Sequence, residues 1–195
     1  LKAEGKSPDT YKVAKQADTL MTFYNLNKDE VDQLLQKLNY TLPDDYLRRN
    51  LIYYLQRTSH GSTLSRVVHA RLAAMVGNTD LSLELYQDAL GSDYVDIQGG
   101  TTGEGIHAGV MAGTILIALN TFAGINFRGE ILSLRSNLPH NWKTMTFQLN
   151  FKGVCYQFEL CPTKYRIFTD KQVNIQLDDQ TYDLPARKWN TFERK

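Results

Sequence analysis

The spacing of apolar residues in this chain changes once, near Gly124. Before it, apolar residues recur every three or four positions. After it, they alternate. A period of 3.6 makes helices with one buried stripe, and a period of two makes half-buried strands. The pattern predicts a helical part over residues 1–124 and a strand part over residues 125–195. No internal repeat or low-complexity tract interrupts either part.

Within the first part, Lys12 to Tyr24 reads as a helix. Asn27 to Leu38 is the clearest one. Asn27 serves as cap with Glu30 three residues on, a capping-box pattern, and Val31, Leu34, Leu35 and Leu38 fill one face. Pro43-Asp44-Asp45 opens a short helix with Leu47, Leu51, Tyr54 and Leu55 inside. Ser65 to Val76 turns Val68, Leu72, Met75 and Val76 inward and stops at Gly77-Asn78. Thr79 or Asp80 caps the next helix, which buries Leu81, Leu85 and Ala89. Gly91 to Gly103 is a loop. Glu104 to Phe122 is apolar almost all round, so it is expected to be buried on every side. Six helices with short connections suit an α/α barrel or toroid, but periodicity alone supports only an all-α layer.

In the second part, Ile131 to Leu134 is a short strand. Phe147, Leu149 and Phe151 alternate, Lys152-Gly153 turns, and Tyr156, Phe158 and Leu160 alternate again. Tyr165 to Phe168 and Val173, Ile175 and Leu177 add further strands, with Asp170-Lys171 and Asp178-Asp179 as turns. The expectation is an antiparallel sheet or sandwich. Cys155 and Cys161 lie on one predicted strand. Six residues of extended chain hold them roughly 20 Å apart, too far for a disulfide unless a turn intervenes. They read as free thiols of a reducing cytosol.

A net charge of +1 without a basic run argues against a nucleic-acid surface. The apolar run from Val110 to Ala123 is too short, and too interrupted by Gly and Asn, to span a bilayer. No signal peptide is visible, and the expected location is cytoplasmic. The chain begins with Leu1 rather than Met and is expected to be a piece of something longer. His69 and His140 read as structural or exposed. The four histidines show no metal-ligand spacing, so neither a metal nor a cofactor is expected.

The stretch Thr58-Ser59-His60-Gly61-Ser62-Thr63-Leu64-Ser65 carries the chemistry. Small residues with hydroxyls stand directly before a helix, where backbone N–H groups and the helix dipole favour an anion. The same residues also suit a plain helix cap by Ser62 or Thr63. Lys15-Gln16 offers a positive charge and an amide that both donates and accepts, which suits a sugar or phosphate as well as a helix surface. His107 begins the apolar helix after a Gly-rich loop, with Glu104 placed to set its tautomer or charge; a structural histidine fits the same place.

Taken in order, these segments resemble glycoside hydrolase family 65, which includes maltose, trehalose and kojibiose phosphorylases. The resemblance rests on Lys15-Gln16-Ala17-Asp18, on Arg57 to Ser65, on Glu104-Gly105-Ile106-His107 with Met111-Ala112-Gly113-Thr114, and on Leu138-Pro139 before Trp142. It runs to about Leu160. Gly103 stands where many phosphorylases of the family show a histidine, and the stretch after Thr163 matches no motif.

The resemblance implies the second half of an (α/α)6 barrel followed by an antiparallel β-sandwich. It implies phosphate binding by His60, Gly61, Ser62, Thr63 and His107, and glucose contacts by Lys15, Gln16 and Glu104. Inorganic phosphate would be the co-substrate and an α-linked glucose disaccharide the substrate, split with inversion to β-glucose 1-phosphate. An inverting glycoside enzyme needs a general acid. The family's glutamate has no counterpart here, so no catalytic residue is expected in this chain and the acid is expected upstream. Partners would be the N-terminal part of the same enzyme and a second copy in a homo-oligomer. The isolated chain would be inactive. Two other readings stay open: a hydrolase of the same family, and a non-catalytic carbohydrate-binding or assembly module.

Overall fold

A computed structural model describes residues 2–16, 18–60, 62–95 and 105–194. The chain forms two compact units, Leu1–Ile117 and Ala118–Lys195. Helices fill the first, and two four-stranded sheets the second.

Among the described residues the first unit holds six α-helices: α1 (Met21–Asn25), α2 (Lys28–Lys37), α3 (Tyr46–Leu55), α4 (Leu64–Met75), α5 (Thr79–Gly91) and α6 (Ala108–Leu116). The expected helix over Lys12–Tyr24 is not one helix. Lys12 has a positive φ of 51°, Ala14 is in a β-bridge, and among the described residues only the 3-10 turn Asp18–Leu20 and α1 are helical there. A tertiary pairing with Thr58 overrides the local pattern there. The capping box of α2 forms as expected: Glu30 N–H donates to Asn27 Oδ1, and Asn27 N–H to Glu30 Oε2. On that helix Val31 is buried, but Leu34 and Leu38 are exposed, because the packed face runs through Val31 and Leu35. Asn78, not Thr79 or Asp80, caps α5 by accepting the Leu81 N–H. Gly77 before it takes φ +79°, the left-handed stop that ends α4.

The helix enclosed on most sides is α4 rather than the one over Glu104–Phe122. Val67, Val68, Ala70, Leu72 and Ala73 of α4 are all buried. Each larger aliphatic side chain among them contributes roughly 1.5–3 kcal/mol of burial. Ala70 lets α5 approach closely, so that Ser82 Oγ donates to the Ala70 carbonyl at 2.8 Å in the interior. By contrast Ile115 on α6 is 61% exposed and Leu116 43%. No described residue covers that flank. The helix continues as a π-helix, Ile117–Phe122.

The second unit contains β1 (Ile125–Asn126), β2 (Leu132–Leu134), β3 (Met145–Phe151), β4 (Val154–Leu160), β5 (Lys164–Thr169), β6 (Val173–Leu177), β7 (Gln180–Leu184) and β8 (Trp189–Glu193). One sheet runs β3-β4-β5-β8 and is antiparallel throughout. The other runs β1-β2-β6-β7, and its β2–β6 pair is parallel, with Leu132 opposite Ile175. Strands of both sheets feed one core of Leu132, Phe158, Ile167, Ile175 and Leu184. Lys152 and Gly153 take positive φ values of 49° and 74°, which a two-residue hairpin requires. Cys155 and Cys161 are free thiols on and beside β4.

Candidate functional site

The loop ahead of α4 is anchored to the segment carrying Lys15 and Gln16. Ala14 N–H donates to the Arg57 carbonyl (2.9 Å), Ser59 N–H donates to the Ala14 carbonyl (2.8 Å), and Ser59 Oγ reaches the Lys15 carbonyl. These bonds form a short parallel bridge between Ala14 and Thr58. Two stretches 44 residues apart in sequence are thus side by side. Lys15 is exposed, and Gln16 is half-buried with its amide donating to Asp18 Oδ1 at 2.7 Å.

His60 turns the loop with φ +49°, a conformation rare outside glycine and held by its surroundings. Thr63 stands at the N-cap of α4, yet its side chain makes no capping bond. The Thr63 hydroxyl is therefore not engaged in capping α4. The backbone closes instead through Ser65 N–H to the Ser62 carbonyl (3.1 Å).

Behind the loop lies a buried polar cluster. His60 Nδ1 is 3.1 Å from Ser65 Oγ, Ser65 Oγ is 3.5 Å from His69 Nδ1, and His69 Nδ1 donates to the Ser65 carbonyl at 2.8 Å. The two imidazoles meet edge to face at 5.1 Å. Burial, then the proximity of His69 and Arg66, pushes the His60 pKa down to about 4, although Asp88 pulls the other way. Burial also lowers His69, against a raising bond to the Ser65 backbone. Both rings are neutral near pH 7. Arg66 adds a guanidinium whose Nε lies 3.6 Å from Asp88, while its buried Nη1 has no hydrogen-bond partner among the described residues.

His107 stands at the N-cap of α6 and is held by Asp93. The Asp93 carboxylate accepts the His107 backbone N–H and the ring Nδ1–H, each at 2.8 Å. The Asp93 side chain is 3% exposed. Burial pushes its carboxyl up, but the two bonds from His107 outweigh that, and its pKa falls below the ordinary value. Helix α6 meets α4 closely: a Cβ on Gly113 would stand 2.9 Å from Val67 Cγ1. That crossing lies about one turn into α4 and about one and a half turns into α6.

Gly61 and Glu104 lie outside the described residues, as does Gly103. Ser65 lies in the stretch that the sequence marks for its hydroxyls, whereas Asp93 and Arg66 carry no such mark and His69 reads there as structural or exposed. Ser65 and His69 share a helix face at a spacing of four, a usable signal. Asp93 sits fourteen residues before His107, and no periodicity links them.

The loop and its neighbour offer hydroxyls, backbone N–H groups, the His60 imidazole and a lysine, which suit an oxyanion and the hydroxyls of a sugar. Residues 1–116 match the model of the glycosyl hydrolase family 65 central catalytic domain, and residues 125–184 that of the family's C-terminal domain. Trehalose 6-phosphate phosphorylase of Lactococcus lactis subsp. lactis (strain IL1403) is 48% identical over 195 residues, 100% of this chain and 25% of the relative. Maltose phosphorylase of Bacillus subtilis (strain 168) is 34% identical, over 71% of this chain and 17% of its own. A solved structure assigned by name to kojibiose phosphorylase, from the human microbiome, superposes with a TM-score of 0.71 at 22% identity. It covers 94% of this chain and 25% of that structure's chain. The chain thus spans about a quarter of the length of the Lactococcus lactis relative and of that solved structure.

Proposed function

The chain belongs to glycosyl hydrolase family 65, and from that premise we propose that it is part of an inverting phosphorylase of an α-glucosidic disaccharide. In this reading inorganic phosphate is the co-substrate, and no other cofactor is required. A phosphate oxygen attacks the anomeric carbon, the glycosidic C–O bond breaks, and a general acid outside this chain protonates the leaving oxygen. The products are β-glucose 1-phosphate and the freed sugar.

The observation that carries this reading is the anchoring of the Lys15–Gln16 segment beside the His60 loop. We assign phosphate to His60, Gly61, Ser62, Thr63 and His107, and glucose contacts to Lys15, Gln16 and Glu104. We assign the barrel half to residues 1–124 and the β-sandwich to residues 125–195. The name of the 48%-identical relative makes trehalose 6-phosphate the first substrate to try.

The test is the full-length protein with trehalose 6-phosphate, trehalose, maltose or kojibiose, each with and without phosphate, followed by phosphorus NMR. Phosphate-dependent appearance of β-glucose 1-phosphate is expected. Equal cleavage without phosphate would make the enzyme a hydrolase and overturn the proposal.

A further inference from the structure

We propose that Ser65, backed by His69, is a positioning residue that holds the proton of His60 on Nε2. Its consequence for phosphate rests on the reading of the loop given above.

The direction of the hydrogen bonds follows from one fixed end. The Ser65 carbonyl only accepts, so the 2.8 Å contact requires the proton of His69 to be on Nδ1. That nitrogen then cannot accept from Ser65 Oγ, 3.5 Å away; it can only share its own proton with the hydroxyl. Ser65 is 1% exposed and His69 0%, so water does not compete. Among the described residues the remaining partner of Ser65 Oγ is His60 Nδ1, at 3.1 Å. A buried hydroxyl donates where it can. Ser65 therefore donates to His60 Nδ1, and in a neutral ring that leaves the proton on Nε2. The low pKa of His60, about 4, keeps the ring neutral, so its tautomer is what counts. A ring with Nε2–H donates to an oxyanion through that nitrogen; the other tautomer presents a lone pair to it and repels.

The test uses the full-length protein. Ring nitrogen shifts of His60, assigned by their loss in His60→Gln, are expected to show a protonated Nε2 in the wild type and the Nδ1–H form gaining in Ser65→Ala. Unchanged shifts in Ser65→Ala overturn the proposal, whatever the loop binds. Should that variant not fold, the wild type decides alone, and a proton on Nδ1 overturns it. In kinetics, Ser65→Ala is expected to raise the KM for phosphate about tenfold and leave that for the disaccharide unchanged, with Ser65→Thr restoring it. In a His60→Gln background the amide supplies an N–H near Nε2 whatever the tautomer. There Ser65→Ala is expected to add less than about twofold. A full tenfold loss in that background means Ser65 does not act through His60, and overturns the proposal. An unchanged KM for phosphate in His60→Ala sinks the phosphate reading of that residue instead, and the ring shifts still decide the tautomer.

Discussion

Asp93 grips His107 twice, taking its backbone N–H on Oδ2 and its ring Nδ1–H on Oδ1, both at 2.8 Å. One buried carboxylate thereby fixes both the start of α6 and the ring that stands there. An amide in its place can accept but carries no charge, and its NH2 faces a donor. Asp93→Asn is expected to cost about 1–3 kcal/mol of stability and to lower kcat/KM of the full-length enzyme about tenfold or more. Denaturant unfolding and steady-state kinetics check this; a variant matching the wild type in both would separate the pair from function.

Ser62→Ala tests the loop hydroxyl directly. The N-cap residue of α4 is Thr63, and its side chain makes no capping bond. Removing the Ser62 hydroxyl is expected to leave the melting temperature nearly unchanged. A charge-assisted bond of roughly 1.5–3 kcal/mol would be lost, so the KM for phosphate should rise about tenfold or more. An unchanged KM in folded protein would show that this serine does not touch phosphate.

The low pKa of His60 sets a pH dependence. Folded His60 titrates near 4 and the unfolded side chain at its ordinary 6.5, so below 6.5 the unfolded state binds the extra proton. Its contribution to stability is complete above pH 6.5 and is lost as pH falls toward 4. The difference in melting temperature between wild type and His60→Gln is expected to shift against the wild type over that window. A difference constant with pH would contradict the low pKa.

Glycine is required at 124 and dispensable at 109. A Cβ on Gly124, where φ is +70°, would stand 1.7 Å from the Arg135 carbonyl oxygen. That approach carries the bond from Arg135 N–H to the Gly124 carbonyl beside the β1–β2 pair. Gly124→Ala is expected to be severely destabilised or insoluble. Gly109→Ala, with nothing within 4 Å and helical surroundings, is expected to stabilise by a few tenths to about 1 kcal/mol. Soluble expression and unfolding midpoints give the comparison.

Tyr165 joins three parts of the second unit. Its hydroxyl accepts the Ser136 N–H (3.1 Å) and donates to Asp178 Oδ1 (3.2 Å), while Arg194 lies over its ring and donates to the Ser136 carbonyl. Tyr165→Phe strands the buried Ser136 N–H and is expected to cost about 1–3 kcal/mol. An unfolding midpoint equal to the wild type would show that the N–H finds another acceptor.

What the sequence revealed, and what it hid, divides by range. Asn27 with Glu30 and Lys152 with Gly153 are local devices, and both formed as read. The helical and alternating halves were legible for the same reason. The Lys12–Tyr24 stretch has a helical period yet is not one helix, because Ala14 pairs with Thr58, a partner that no window of a dozen residues contains. Leu34, Leu38, Ile115 and Leu116 look like core residues by period but are exposed, since period identifies a face and not what covers it. Strands β7 and β8 went unread, their alternation being weak: β7 buries only Leu184 and β8 buries none of its residues. At the candidate site the loop's composition was plain. Its supports were not, because Asp93 and His69 earn their place through burial, and one histidine reads like another until its neighbours are known.

The parallel pairing of β2 with β6 governs the order in which the second unit can be made. Strands β3, β4 and β5 form an excursion between two neighbours of the other sheet, with Leu134 opposite Leu177. During synthesis β1 can pair with β2, and β3 with β4 as soon as Leu160 is free, but β2 must wait for its parallel partner about forty positions later. Until Val173 to Leu177 arrives, one edge of β2 stays open. A nascent chain stalled in that interval, or a truncation ending before β6, would present that edge to any other strand and is the form of this protein most prone to aggregate.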